Sequence, residues 1–327
     1  MKKTILSILL FVVGLIHAQD NKSELIKNTL GIEEKSVTDT VDGWKKGGVI
    51  SINFSNVGLS NWAAGGSNSM SFTALTGLYA NYRKRSSTWD NNLDLGLGMI
   101  HQFASNVKSS DVPWIKSDDK IDFTSKYGYK ASDKWYYSGL MNFKSQFLDG
   151  YNDPYAPDTS KVTISNFLAP AYAVIAIGMD FKPNKNLSIF IAPATAKFTI
   201  VNDSELNSIG AFGVDSNQIV RTEMGFYLRV LYNKDIVENV NFSTKVEIFQ
   251  NYETIGHIDV AWETLTTMKV NKYISATFAT SLIYDDDIDI AVDENNNGVI
   301  EDFGILNETK VRTQFKHVLG IGLTYKF

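Results

Sequence analysis

The stretch of sequence that decides the fold is the last one, residues 310–327, which read KVRTQFKHVLGIGLTYKF. Its odd-numbered positions are apolar or aromatic except for Thr313 and His317, and its even-numbered positions carry every charge. Because successive side chains of a strand point to opposite faces, this pattern predicts a strand with one apolar and one polar face. Residues 89–103 alternate in the same way. The same kind of strand is therefore expected elsewhere in the chain.

About twelve alternating segments follow one another, and most exceed ten residues: 47–57, 69–83, 88–103, 118–130, 134–148, 164–182, 185–202, 219–233, 238–250, 256–270, 273–285 and 308–327. A strand of a water-soluble protein has about five or six residues, and a membrane-crossing strand about nine to eleven. In the clearest segments the apolar phase carries no charge, as expected where a Lys or Arg at mid-membrane costs about 2–4 kcal/mol.

The connections alternate between short turns and long loops, which is typical of outer-membrane barrels. An open sheet edge in lipid would leave backbone groups unpaired, so the strands must close. The sequence therefore predicts an all-β protein, a single antiparallel transmembrane β-barrel of about twelve strands in the outer membrane of a Gram-negative bacterium. In 185–202 the apolar phase slips near Pro193, which predicts a bulge there.

The N-terminus has the pattern of a cleaved signal peptide, with Lys2 and Lys3 before an apolar stretch at 5–16 and Ala18 at the cut. The amphipathic stretch after it is expected to form a short periplasmic tail. The predicted organisation is a signal peptide at 1–18, a periplasmic N-terminal segment at 19–46 and the outer-membrane barrel at 47–327.

Composition excludes several classes of function. The 327 residues contain no Cys, which rules out a disulfide framework, thiolate-bound zinc and a cysteine nucleophile. The formal net charge of -5 argues against a nucleic-acid partner, since such proteins usually carry a basic surface.

Six short motifs stand out along the chain: Gly43–Gly48, Ser60–Gly66, Asp118–Asp122, Lys126–Lys130, Asn166–Pro170 and Lys197–Val201. Together they resemble an uncharacterised family of Gram-negative outer-membrane β-barrel proteins, known only as a domain of unknown function. The resemblance covers about residues 43–327. It implies a single barrel in the outer membrane, and it implies no activity and no catalytic residues.

The polar phase of the strands predicts the residues that line the lumen: Arg221, Glu223, Arg229, Lys245, Glu247, Asp259, Glu263, Lys269, Arg312 and Lys316. Two long loops are unusually apolar. They predict a constriction of the lumen through Trp62 and Phe212 or a contact with a partner; the alternative is that these two residues belong to the outer aromatic girdle.

These features favour a narrow pore or small-solute transporter without enzymatic activity. One alternative is a non-conducting structural or partner-binding barrel, in which charges such as Arg221 and Glu223, or Lys245 and Glu247, pair across the lumen. A more remote alternative is an enzyme like the outer-membrane phospholipases, which also have twelve strands. No sequence motif around a histidine or serine supports that alternative.

One acidic loop has the spacing of a calcium site. Oxygen ligands at relative positions 1, 3 and 5, a glycine at 6 and an apolar residue at 8 match the start of a calcium loop. The expected ligands are Asp293, Asn295, Asn297, the Val299 carbonyl and Glu301. Position 12 is Gly304, so the usual bidentate glutamate is missing and any Ca²⁺ in the 293–302 loop would bind weakly. The alternative is a solvated acidic loop, and no other cofactor is expected.

The final residue indicates how the chain reaches the membrane. A strand that alternates and ends on an aromatic residue, here Phe327, resembles the signal that the barrel-assembly machinery recognises in its substrates. The expected partners are therefore outer-membrane lipid and this machinery. An unidentified outer-membrane or periplasmic protein is left open as a further partner.

Overall fold

The computed structural model describes residues 42–58, 68–103, 112–152, 154–155, 160–271, 273–291 and 309–326. Twelve strands form its wall: β1 Gly43–Val57, β2 Asn68–Lys84, β3 Ser87–Phe103, β4 Ile115–Lys130, β5 Trp135–Ser145, β6 Ala171–Asn184, β7 Leu187–Ile200, β8 Val220–Val237, β9 Val240–Asn251, β10 Ile258–Lys269, β11 Ile274–Tyr284 and β12 Gln314–Lys326. Each strand pairs with its neighbours in chain order, and β12 closes the ring against β1. The predicted twelve-stranded antiparallel barrel is confirmed.

The barrel begins slightly earlier than the sequence predicts. Gly43–Lys46 already pair with Ala80–Arg83 of β2, so β1 starts before the expected boundary at residue 47. The predicted signal peptide at 1–18 and most of the 19–46 segment lie outside the described residues. No helix in the described part of the chain is long and apolar enough to cross a membrane.

The two faces of the wall follow the predicted alternation with apolar side chains outward. Ile177 and Ile321 are both 67% exposed on the outer face. Arg229 and Lys245, in the opposite phase, are only 5% and 3% exposed. An apolar exterior around a polar interior is the arrangement of a barrel that meets lipid on its outside.

Proline explains the two irregular strands. The expected strand at 164–182 is wrong at its start, because β6 begins at Ala171 after Pro170, while Thr163–Ser165 pair with Gly150–Tyr151 in the preceding loop. A proline has no N–H for the ladder and so marks the end of regular pairing. The predicted slip at Pro193 is confirmed by register shifts in both ladders of β7.

Candidate functional site in the barrel lumen

Ion pairs cross the middle of the barrel. The Lys120 Nζ of β4 lies 3.2 Å from both carboxylate oxygens of Glu263 on β10. In a ring of twelve strands, β4 and β10 are six places apart, so this contact spans the full diameter. Lys245 of β9 lies 3.1 Å from Asp122 of β4 and 3.2 Å from Glu263. We call these four residues the central bridge.

Glu247 of β9 extends the central bridge along the wall. Its Oε1 accepts a hydrogen bond of 2.6 Å from the Tyr227 hydroxyl, and Lys144 Nζ of β5 lies 2.5 Å from its Oε2. Arg229 of β8 lies at 3.5 Å. Buried charges are tolerated only when paired and hydrogen-bonded, and this carboxylate, itself 6% exposed, satisfies that condition.

One side of the central bridge is filled by apolar side chains. They come from β5 to β9 and form a packed cluster of Leu140, Ala176, Phe190, Ala192, Tyr227 and Phe249. The rings of Phe190 and Tyr227 meet edge to face with centroids 6.3 Å apart. This half of the lumen is therefore closed by close packing.

The other side of the central bridge is lined by short side chains. Most inward side chains of β11, β12 and β1 are short: Ser275, Thr277, Ala279, Ser281, Val318, Gly320, Gly322, Thr324, Ser51 and Asn53. Lys316 of β12 is the exception, and its Nζ lies 2.6 Å from Asp118 of β4. The Asn53 side chain lies over Gly322, where a Cβ would collide with it. We call this surface the small-residue wall. The short side chains of this wall do not reach the opposite strands, whereas Lys316 does.

A second charged layer lies at the short-turn end. Lys126 Nζ of β4 lies 2.6 Å from Asp180 of β6, and Lys182 lies 3.5 Å from the same carboxylate. Asp90 of β3 pairs with Arg83 of β2 and lies 4.0 Å from Lys182. This layer links β2, β3, β4 and β6 and so narrows the lumen near this end.

A third charged layer lies at the long-loop end. Lys197 of β7 lies 2.5 Å from Asp259 and 3.5 Å from Glu223. Arg221 lies 2.9 Å from Glu223 and 2.8 Å from Asp287, which follows β11. Three strands, β7, β8 and β10, and the connection after β11 are therefore held together at the mouth.

Three carboxylates gather in this mouth. Oxygens of Asp259, Asp285 and Asp287 lie within 4.8 Å of one another. Burial raises the pKa of Asp285 to about 6; Lys197 opposes this rise, and Asp259 and Asp287 add to it. Since Lys197 and Arg221 already pair with two of the three, the group is an ion-pair cluster.

The loop after β7 lies against this mouth. It contains helix α1 at Ser204–Ser208 and a 3₁₀ turn at Ala211–Gly213. Phe212 packs against an apolar cluster formed by Ala169, Val201, Leu206 and Val214. The Gly213 carbonyl accepts a hydrogen bond of 3.4 Å from Arg221. Phe212 is thus part of a folded loop at the mouth, and Trp62 lies outside the described residues.

Seven of the ten predicted lumen residues lie in two clusters, and the other three lie apart from them. Arg229, Lys245, Glu247 and Glu263 join the central bridge and its extension, and Arg221, Glu223 and Asp259 join the mouth. Lys316 pairs with Asp118 of β4 at 2.6 Å. Lys269 is exposed at the end of β10, and Arg312 is exposed two residues before β12.

The predicted pairs form along one strand and not across the lumen. Arg221 and Glu223 are both on β8, and Lys245 and Glu247, 4.0 Å apart, are both on β9. The expectation that these pairs span the lumen is wrong, because residues two apart on a strand share a face. The partners across the lumen are Lys120, Asp122 and Lys144, which the inward phase of β4 and β5 could identify only as lumen residues. The expected calcium ligands Asp293, Asn295, Asn297, Val299 and Glu301 lie outside the described residues.

The solved structures that this chain matches here are outer-membrane barrels, and their sequences have low identity to it. The translocator domain of autotransporter NalP from Neisseria meningitidis is 9% identical, with 93% of each chain covered and a TM-score of 0.39. An outer membrane channel from Pseudomonas putida F1 is 9% identical, with 95% of this chain and 100% of that chain covered and a TM-score of 0.38. Outer membrane phospholipase A from Escherichia coli is 12% identical, with 93% and 98% covered and a TM-score of 0.33.

At sequence level, a search of curated proteins finds no significant match. Residues 54–151 match the family described as "Protein of unknown function (DUF3078)", and this confirms the resemblance to an uncharacterised barrel family that the sequence motifs indicate.

Proposed function

We propose that this chain is an outer-membrane barrel of a Gram-negative bacterium that forms a narrow channel for small polar solutes. The observation that carries the proposal is the asymmetric lumen, with a packed half behind the central bridge and a half bounded by the small-residue wall. An interior built only for stability would be filled on both sides. The proposed route runs along the small-residue wall, past the ion pair of Lys316 with Asp118.

The outer surface supports the location. Exposed aromatic side chains ring the short-turn end, among them Trp44, Trp89, Tyr127, Tyr137 and Tyr325. Girdles of this kind mark the membrane interface of outer-membrane barrels, whose short turns face the periplasm. The short-turn end is therefore assigned to the periplasm, and the mouth at Arg221 to the outside.

The proposed channel carries no enzymatic activity. The His101 ring stacks on Trp114 with centroids 5.1 Å apart, and His317 lies among Phe278 and Phe315. Both therefore pack as aromatic side chains. His257 is exposed and contacts Asp286 in the connection that follows β11. The assignment would be overturned by phospholipid hydrolysis that depends on one of these histidines.

Planar-bilayer conductance of the purified chain tests the channel. Thr277→Trp places a large ring on the small-residue wall and is expected to lower single-channel conductance. Ala276→Trp, the next residue on the same strand, points outward and is the matched control. Equal conductance in the two variants would refute the proposed route.

A second candidate is a non-conducting structural barrel, favoured by the three charged layers that link opposite strands. Its signature would be the absence of any conductance, even after Glu263→Ala removes the carboxylate that bridges Lys120 and Lys245. The channel proposal instead expects conductance in the native protein and an increase in this variant.

A further inference from the structure

The seam between the first and last strands is short. β1 and β12 pair from Val49 with Lys326 to Asn53 with Gly322, which is five residue pairs. β1 pairs with β2 over fifteen residues, and β12 pairs with β11 over ten. The closing ladder of the barrel therefore covers only its periplasmic part.

Beyond Asn53 the wall is open toward the long loops. Among the residues that the structure describes, 54–57 of β1 and 314–321 of β12 have ladder partners on one side only. Ser55 points inward yet is exposed, whereas Ser51, four residues earlier on the same face, is 6% exposed. The difference in exposure follows the end of the β1–β12 ladder, and we refer to this unpaired stretch of the wall as the slot.

The slot has two chemically different lips. On the outer face its edges carry Phe54, Leu319 and Ile321, which are 62%, 69% and 67% exposed. On the inner face they carry Ser55 and Gly320 of the small-residue wall and its continuation. Unpaired backbone N–H and C=O groups line the edges, and each costs several kcal/mol if it meets only hydrocarbon. A molecule with a polar group and an apolar tail matches both lips.

The charged side chains on the edges of the slot, Lys316 and the nearby Arg312, are both cations. Lys316 lies on the inner face of β12 with 47% of its side chain exposed, and Asp118 is its ion-pair partner. Arg312 is exposed and has no ion-pair partner within the described ranges. Because Lys316 is paired with Asp118, Arg312 is the cation that favours an anionic polar group here.

We infer that the slot between residues 54–57 and 314–321 is a side portal for a single-chain anionic amphiphile of the fatty-acid type. The polar group enters the space beside the small-residue wall while the acyl chain stays in the outer leaflet. This inference goes beyond a channel for polar solutes, and it does not require the periplasmic end to open.

The absence of cysteine makes a direct test simple. Single-cysteine variants of the full chain are placed in phospholipid liposomes and treated with a fatty acid that carries a methanethiosulfonate group on the carbon next to its carboxylate. Ser55→Cys reports on the portal, Ser51→Cys is the inward control in the paired part, and Phe54→Cys is the outward control beside the slot. The portal predicts modification of Ser55→Cys and Phe54→Cys, and none of Ser51→Cys.

The polar group is tested with a fatty alcohol that carries the same reactive group on the carbon next to its hydroxyl. The carboxylate probe is expected to modify Ser55→Cys faster than the alcohol does, and Arg312→Gln with Lys316→Gln should remove the difference. Phe54→Cys should react equally with both probes. Equal rates at Ser55→Cys in the native background would overturn the anionic assignment.

Three results would overturn the portal. Modification of Ser55→Cys only by a water-soluble reagent would show a purely aqueous gap, and modification by no reagent would show that the chain covers the slot. A disulfide-linked dimer would show that a second copy occupies it. Val318→Cys, on the β12 edge of the slot, reports independently on access of the probe. Heat-modifiable migration measures whether each variant has folded. Because these readouts do not use current, failure of the channel and failure of the portal are distinguishable.

Discussion

Replacing Glu247 by alanine should destabilise the barrel more than any loop substitution. This carboxylate accepts hydrogen bonds from Tyr227 and Lys144 and lies 3.5 Å from Arg229 and 4.0 Å from Lys245. Removing one partner of a buried ion pair costs about 3–5 kcal/mol, because the opposite charge stays buried without compensation. Lys144 is 29% exposed and can turn toward water, so we expect about 3 kcal/mol, at the lower end.

Urea unfolding of the refolded chain in detergent micelles, followed by tryptophan fluorescence, measures this cost. Glu253→Ala, in the exposed connection before β10, is the matched control and should change stability by less than about 0.5 kcal/mol. A double-mutant cycle with Lys144→Ala should give a coupling free energy of about 0.5–3 kcal/mol, since the stability changes of substitutions at contacting residues do not add. Equal stability of Glu247→Ala and Glu253→Ala would refute the view that this carboxylate anchors the filled half.

Three further predictions concern the mouth, the acidic loop and assembly. Burial raises the pKa of Asp285 to about 6, so between about pH 4 and 6 the folded state holds a proton that the unfolded chain releases, and the free energy of unfolding should fall as pH rises. Asp285→Asn should flatten this part of the plot of unfolding free energy against pH. An unchanged slope would contradict the prediction. Calcium should protect residues 285–302 from protease, and Asp293→Ala with Asn295→Ala should remove the protection; identical cleavage with chelator would favour a solvated loop. Deleting Phe327 should reduce outer-membrane yield and heat-modifiable migration, whereas normal values for both would contradict its role in assembly.

The local chemistry of the strands made the wall predictable. A period of two, with charges confined to one phase, identifies which side chains face inward, as Arg229 and Lys245 show. A proline without an N–H made the slip at Pro193 predictable as well, although the same reasoning placed the start of β6 too early. These features depend only on neighbouring residues in the chain.

The contacts across the lumen could not be predicted in this way. Whether Lys120 meets Glu263 depends on the strand number, the tilt and the stagger of the closed ring, and these are properties of the whole sheet. The short seam has the same origin. Pairing with β1 covers residues 322–326 of β12 and does not include residues 314–321. The alternation of 310–327 is the same on both sides of Gly322, so the sequence does not indicate where this pairing ends.

The division of the lumen also has a mechanical consequence. The half that contains the apolar cluster and the central bridge is braced from inside by many contacts, whereas the wall of β11, β12 and β1 is held by its backbone ladders, by lipid and by the ion pair of Lys316 with Asp118. Lateral pressure from the bilayer should therefore deform the cross-section unevenly, with the strain concentrated at the short seam. Amide hydrogens of 49–53 and 322–326 should then exchange faster than those of β8 and β9, whose opening requires the braced half to separate. A cylinder that is stiff on one side and compliant on the other can change its bore without unfolding.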